Sequence, residues 1–264
     1  MRRRRRSSIA WWLVFLVAFL YFFVPLYATL DFSLKAKPAF AAYTHTFADA
    51  KFVGSLLYSL VVGLLTIVAS LGLVVPTAYW VQLRVPRARS IVEFVTLLPF
   101  VIPPVVLVFG LIRVYSRPPV PFTHTDLGST ALLVFGYVVL SLPYMYRSVD
   151  AGLRAIDIRS LTEAAQSMGA SWPLILWRII LPNIRVALIS GAFLTLAIVL
   201  GEFTIASFLA RPAFGPYLNL LSNQKAYEPA AASIISFALT WLAMIVIALV
   251  GRGSRTRVQV GGAH

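Results

Sequence analysis

Cysteine is absent from the 264 residues, acidic side chains number only nine, histidines three, and charged residues of every kind make up 12%. Without thiols there is neither a disulfide framework nor a Cys-based metal site. His45, His124 and His264 show no paired metal-ligand spacing, which argues against zinc chemistry. Lysine is also scarce: none of the four sits in a GxxxxGK[ST] stretch, so no phosphate-binding loop is present to hydrolyse a nucleotide. HExxH, GxSxG and paired aspartates within apolar stretches are missing too, which leaves no constellation for an intramembrane protease or transferase.

What is abundant is apolar surface. The chain is 59% hydrophobic, against roughly half apolar and a quarter charged in an ordinary globular domain. A helix that crosses a bilayer needs about 20 mostly apolar residues, because the hydrocarbon offers backbone groups no water. Six stretches meet that demand: about Ile9 to Leu30, Ser55 to Val81, Ile91 to Ile112, Ser129 to Tyr146, Val186 to Leu209 and Ala230 to Val250. The fold class expected is therefore an all-α, polytopic helical bundle with six transmembrane helices. The first stretch follows the basic run Arg2 to Arg6, as a signal peptide would. Its length and the lack of a small-x-small cleavage site favour an uncleaved helix.

The net charge of +14 would point a soluble protein towards nucleic acid. Here the arginines lie between and beside the apolar spans and form no single basic face, so a nucleic-acid partner is excluded. Loops rich in Lys and Arg stay cytoplasmic. With the N-terminus inside, sixteen of the 23 basic residues fall on the inner side and seven on the outer. Both termini and the segment from about Arg147 to Arg185 are then cytoplasmic, and anionic lipid attracts the basic N-terminus.

That segment contains LTEAAQSMGASWPLILWRIILP, Leu161 to Pro182. Ser160 and Glu163 have capping-box spacing and predict a helix start. Gly169 is placed to close that helix in a left-handed conformation. Ser171 with Pro173 predicts a second helix. On it, Trp172, Ile175, Leu176, Ile179 and Ile180 form an apolar stripe at helical spacing. Trp177 and Leu181 lie off it, leaving Arg178 as almost the only polar side chain, so the helix is expected to be largely buried against the bundle or the membrane interface, and Pro182 to stop or bend it. The pair reads as a rigid peg rooted in the membrane, with the small residues Ala164 and Ala165 towards the cytosol.

The order Glu163-Ala164-Ala165, three residues, Gly169, nine residues, Ile179, one residue, Leu181-Pro182 resembles the EAA loop of permease subunits in binding-protein-dependent ABC importers. The resemblance covers about Ser55 to Val250 and implies a MetI-like permease fold. In that family the loop docks on a separate ATPase subunit. By resemblance, Glu163, Ala164, Ala165 and Gly169 lie at or beside that contact, while Ile179, Leu181 and Pro182 anchor the loop. Read as structure alone, Glu163 caps a helix, Gly169 forms the elbow, and Ile179 with Leu181 packs. The resemblance further implies two copies of an ABC ATPase that use ATP and Mg, no cofactor bound by this chain, a second permease subunit, identical or homologous, and an external substrate-binding protein. It implies a bacterial inner membrane, with residues 1–8 as a basic N-terminus, 9–250 as the permease domain and 251–264 as a C-terminal tail. A channel or receptor without ATP coupling would have no need of the peg.

Two acidic residues lie within the expected spans. Glu93 follows Ser90 at capping-box spacing, which explains it structurally. Glu202 lies deep in the fifth span, where a charge is costly; it lines the translocation path or is a buried, paired carboxyl. Pro99, Pro103 and Pro104 disrupt the third span, either beside the path or as a kink in a packing helix. Gly63, Gly72 and the small residues around Gly191 suit close helix packing. Leu200-Gly201-Glu202-Phe203 resembles a signature of permeases in the polyamine, iron, thiamine and molybdate branch. A small organic cation such as spermidine or putrescine is the expected substrate, with iron, thiamine, phosphonate or an oxyanion as alternatives.

Overall fold

The computed structural model describes residues 2–119 and 121–252, with side chains described from Trp11 onwards except at 244, 247, 248 and 250–252. The Arg2–Arg6 side chains and the C-terminal tail, with Arg255, Arg257 and His264, lie outside the described set. Every regular element among the described residues is helical. Helices are the expected answer for an apolar chain whose backbone groups must be satisfied internally.

The chain divides into two units, residues 1–54 with 217–238, and residues 55–216 with 239–264. The first unit contains α1 (Arg2–Leu34) and α2 (Ala41–Ala48). In α1 no residue from Trp11 to Phe32 is buried, and Ser33 is the first that is. Ser33 and Tyr43 share a hydroxyl hydrogen bond of 2.6 Å, and Tyr217 donates to Asp49 at 2.8 Å.

The second unit is built on most of α3 (Ala50–Leu83), α4 (Arg89–Val101), α5 (Pro104–Tyr115), α6 (Asp126–Arg154), α7 (Ile158–Ser167), α8 (Trp172–Ile175), a π turn (Leu176–Ile180), α9 (Leu181–Asn183), α10 (Arg185–Gly201) and α11 (Thr204–Phe208). Two further helices, α12 (Phe214–Gln224) and α13 (Glu228–Arg252), complete the chain. Small residues allow α3, α6 and α10 to approach closely. A methyl group on Gly63 would lie 2.7 Å from Leu196, and one on Gly191 2.6 Å from the Met145 sulfur. Gly72 departs from expectation, because a methyl group there would meet nothing of another element within 4 Å. Buried hydroxyls join the helices as well, Ser70 with Ser141 at 3.0 Å and Tyr58 with Thr130 at 2.9 Å.

Among the described residues the six continuous spans expected are not all present. Trp11–Leu34, Ala50–Leu83 and Asp126–Arg154 are each long and apolar enough to cross a membrane. Two further spans exist only as bent pairs, Pro86–Val101 with Pro104–Tyr115 at 100° and Trp172–Asn183 with Arg185–Gly201 at 81°. In α13, Glu228–Ala243 counts as a shorter apolar helix. The third expected span is therefore broken and not merely kinked. Pro99 is tolerated inside α4, whereas Ile102 turns extended and Pro103, with ψ 142°, hands over to Pro104 at the first position of α5. The fifth span ends early, at Gly201, for a reason that lies in Glu202.

Candidate functional site

α7 is capped by Asp157, not by the expected Ser160. The Asp157 carboxylate accepts the Ser160 N–H at 3.1 Å and the Ser160 hydroxyl at 2.7 Å. Those bonds hold its carboxyl below the ordinary carboxylate value, the side-chain bond contributing most. Ser160 thus sits inside the helix, and Glu163 has no amide to reach back to. Its carboxylate instead lies 3.5 Å from Arg159, and two-thirds of its side chain is exposed.

The helix closes as expected. Gly169 has φ +79°, its N–H donates to the Gln166 carbonyl at 2.9 Å, and the Ala170 N–H reaches back to Ala165 at 3.0 Å. This is the paired pattern of a Schellman motif. Ser171 then precedes α8 without a side-chain cap bond. The following π turn inserts one extra residue per turn and shifts the apolar face, so Ile175, Leu176 and Ile180 are buried while Trp172 and Ile179 are half-buried. Pro182 is exposed and does not end the helix; the bend falls one residue later, at Asn183 and Ile184.

One buried cluster joins this loop to the bundle. It contains Val74, Val75, Ala78 and Tyr79 of α3, Met145, Tyr146, Val149 and Leu153 of α6, Ile158 and Ala165 of α7, and the buried residues of α8 and the π turn, with Ile179 and Leu181 packed against it. A hydrogen bond of 2.9 Å between Tyr79 and Thr162 ties α3 to α7 in the same core. Thr162 also donates its only hydroxyl proton to the Ile158 carbonyl at 2.6 Å, so Tyr79 must be the donor. The expected face is therefore split. Ala165 is buried and anchors, while Glu163, Ala164 and Gly169 are exposed. Beside them Met168 is 80% exposed and Trp177 70% exposed, two apolar side chains on the outer face that helical patterning alone assigned to packing or passed over.

Glu202 lies elsewhere in the same unit and is 9% exposed. Its backbone is extended, and its carboxylate accepts the Ile205 N–H at 2.9 and 3.1 Å and the Ala206 N–H at 3.3 Å. A carboxylate that accepts the free amides of a new helix start is stabilised there. This is why α10 ends and α11 begins at this point. The Tyr137 hydroxyl is buried near that carboxylate. A side chain on Gly215 would collide with the Glu202 carbonyl. Pro103, at the other break, is exposed, and Pro104 is half-buried.

Among known proteins, the probable ABC transporter permease protein y4fN of Sinorhizobium fredii is 34% identical over 158 residues, 57% of this chain and 28% of that protein. The molybdenum transport system permease protein ModB of Mycobacterium tuberculosis is 30% identical over 171 residues, 61% of this chain and 64% of that protein. The sulfate transport system permease protein CysW of Synechocystis is 29% identical over 183 residues, 65% and 66% of the two chains. The chain spans less than two thirds of the first two. Among solved structures, a bacterial ABC transporter involved in the import of the acidic polysaccharide alginate superposes with a TM-score of 0.71 over 95% of this chain and 96% of that one, at 18% identity. That likeness concerns the fold alone. The expected polyamine branch finds no support in these relatives, two of which are named for molybdenum and sulfate. Residues 69–258 match the binding-protein-dependent transport system inner membrane component, and this chain belongs to that family of membrane transport subunits.

Proposed function

We propose that this chain is the permease subunit of an ATP-driven importer, supplying half of a translocation path and receiving work from a separate ATPase through the α7–α9 loop. The observation that carries the reading is the division of that loop into two faces. One face, Ile158, Thr162, Ala165, Ile175 and Ile180, is built into the core of the bundle. The other, Glu163, Ala164, Met168 and Gly169, is free for a partner. Small side chains at its centre allow close approach, and the core carries a push inward. Ile179, Leu181 and Pro182 hold the loop where it turns into α10. Two ATPase copies, using ATP and Mg, require a second permease subunit for the second loop, and an external binding protein delivers the solute. The arginine distribution argues for a cytoplasmic loop and cytoplasmic termini.

For the substrate class, the molybdenum and sulfate permeases among the relatives favour an inorganic oxyanion. The geometry of Glu202 agrees with that preference. Its charge is taken up by backbone amides, so it offers no free negative site to a passing cation. We assign Glu202, with the Pro103–Pro104 break, to shaping the path wall.

The test is ATP-dependent uptake of molybdate or sulfate by vesicles holding the chain with its ATPase, partner permease and binding protein. Gly169→Pro and Glu163→Arg should leave the protein in the membrane but abolish uptake and weaken ATPase association. Unchanged uptake in both would overturn the docking role.

A further inference from the structure

α4 is attached to the second unit by few buried side chains. Thr96 is its buried residue, and Ile91, Phe94 and Val95 are exposed. Besides Val92, which packs on the α3–α6 cluster, α4 turns towards α6 a stripe of Arg89, Glu93, Thr96 and Phe100, at spacings that put all four on one helical face. The two helices run antiparallel along it. Near the Pro103 break, Phe100 meets Tyr144 edge-to-face at 5.4 Å. Near the end that carries α7, the contact is made by charge.

Glu93 accepts from Arg89 at 2.8 Å and lies 3.4 Å from Arg154. Asp150 lies 3.6 Å from Arg89, pairs with Arg154, and accepts from Gln82 of α3 at 2.7 Å. The side chain of Asp150 is only 10% exposed, and it touches groups on three helices. Arg89 and Arg154, which it pairs with, and Glu93, which shares those two arginines, are each a third to a half exposed. A cavity of about 100 Å³ adjoins the cluster, lined by Glu93, Thr96, Tyr146, Arg147, Asp150 and Arg154. It has room for several waters, and the Tyr146 side chain contributes to its lining, its own hydroxyl being buried without a hydrogen bond within the protein. Burial of the Asp150 side chain keeps the pairs it makes from being screened as fully exposed pairs are. Arg154 is the last residue of α6, and the cap of α7, Asp157, is three residues on.

We infer that the Arg89, Glu93, Asp150 and Arg154 cluster is a polar tether that passes movement of the α7–α9 loop to the broken span α4–α5, with Asp150 as its central positioning residue. This rests on the ATPase-docking reading of the loop. A displacement of α7 shifts the end of α6, the tether pulls the near end of α4, and the Pro103 break converts that pull into a change of angle. Apolar packing at this end of α4 rests on half-buried side chains such as Val92, and the charged cluster adds directional links between α3, α4 and α6.

The test uses the assembled complex and nitroxide labels on Phe94→Cys in α4 and Leu127→Cys at the start of α6, both exposed positions in a chain without native cysteine. ATP with vanadate should shift the label distance by several ångströms in the otherwise unaltered protein. In Asp150→Asn the shift should be lost while ATP hydrolysis stays within about twofold, and Asp150→Glu should restore it. Glu93→Gln and Arg154→Gln, on half-exposed side chains, give the same reading should Asp150→Asn not assemble. The two together should lose no more than either alone, as coupled sites do. A shift retained in these variants, absent from the unaltered complex, or lost only together with hydrolysis would overturn the tether. Failure of the ATPase to co-purify with the unaltered complex would instead overturn the docking reading, before any distance is measured.

Discussion

Replacing Gly169 isolates one conformational term. Its φ of +79° lies in the left-handed region, and nothing lies within 4 Å of the position a Cβ would take. Gly169→Ala therefore adds no clash, only the roughly 1–2 kcal/mol of left-handed strain that a Cβ brings. Against this, alanine restricts the unfolded chain, an offset of about 0.4–1 kcal/mol. The net cost is about 1 kcal/mol, or about fivefold in the opening equilibrium of the elbow, since about 1.4 kcal/mol is tenfold. Amide hydrogen exchange reads that equilibrium at the Gly169 and Ala170 N–H groups, which close the helix on Gln166 and Ala165. Gly169→Ala should exchange about fivefold faster there, and Gly169→Asn less so, because asparagine tolerates the left-handed region. Gly169→Pro fixes φ near −65° and removes the N–H, so the elbow should be lost together with ATPase association. Equal exchange in Gly169→Ala and the native protein, or faster exchange in Gly169→Asn than in Gly169→Ala, would refute the reasoning.

The buried Tyr79–Thr162 pair should respond asymmetrically: Thr162→Val strands the Tyr79 proton and costs about 1–3 kcal/mol, Tyr79→Phe leaves the Thr162 proton on Ile158 and costs less, and the double variant is milder than Thr162→Val in thermal unfolding. Asp157 has a lowered pKa, so its cap is fully present above the ordinary value of 3.8 and is lost only as pH falls through the depressed value. Exchange protection of α7 should therefore be flat down to about pH 5, a common carboxylate-titration onset, and Asp157→Asn should abolish the acid loss while Asp157→Ala weakens the helix at every pH. Glu202→Ala removes a cap worth about 1–2 kcal/mol and should lower transport about fivefold to thirtyfold while ATPase co-purification persists; unchanged transport would remove Glu202 from the path wall.

Local chemistry made parts of the loop legible in the sequence. The Gly169 elbow and the Ile175, Leu176 and Ile180 face follow from residue type and spacing. The cap did not, because Asp157 and Ser160 both suit an N-terminus and only the structure shows which carries the helix. The π turn at Leu176–Ile180 has no compositional mark, so the exposure of Trp177 was hidden. The spans were found as apolar runs, yet length says nothing of continuity. Glu202 ends α10 by bonding to amides three and four residues ahead, a competition between side chain and backbone that hydropathy does not register. Tyr79 with Thr162 and Glu93 with Arg154 are 83 and 61 residues apart, contacts that one sequence alone does not reveal.

The account depends on which side of the membrane the exposed face of α7 occupies and on what covers it. Ala164→Cys, the only thiol in a chain without cysteine, can be labelled with a membrane-impermeant maleimide in intact cells and in inside-out vesicles. Labelling in the vesicles alone, blocked when the ATPase is bound, is the predicted result. Labelling in intact cells, or labelling indifferent to the ATPase, would contradict it.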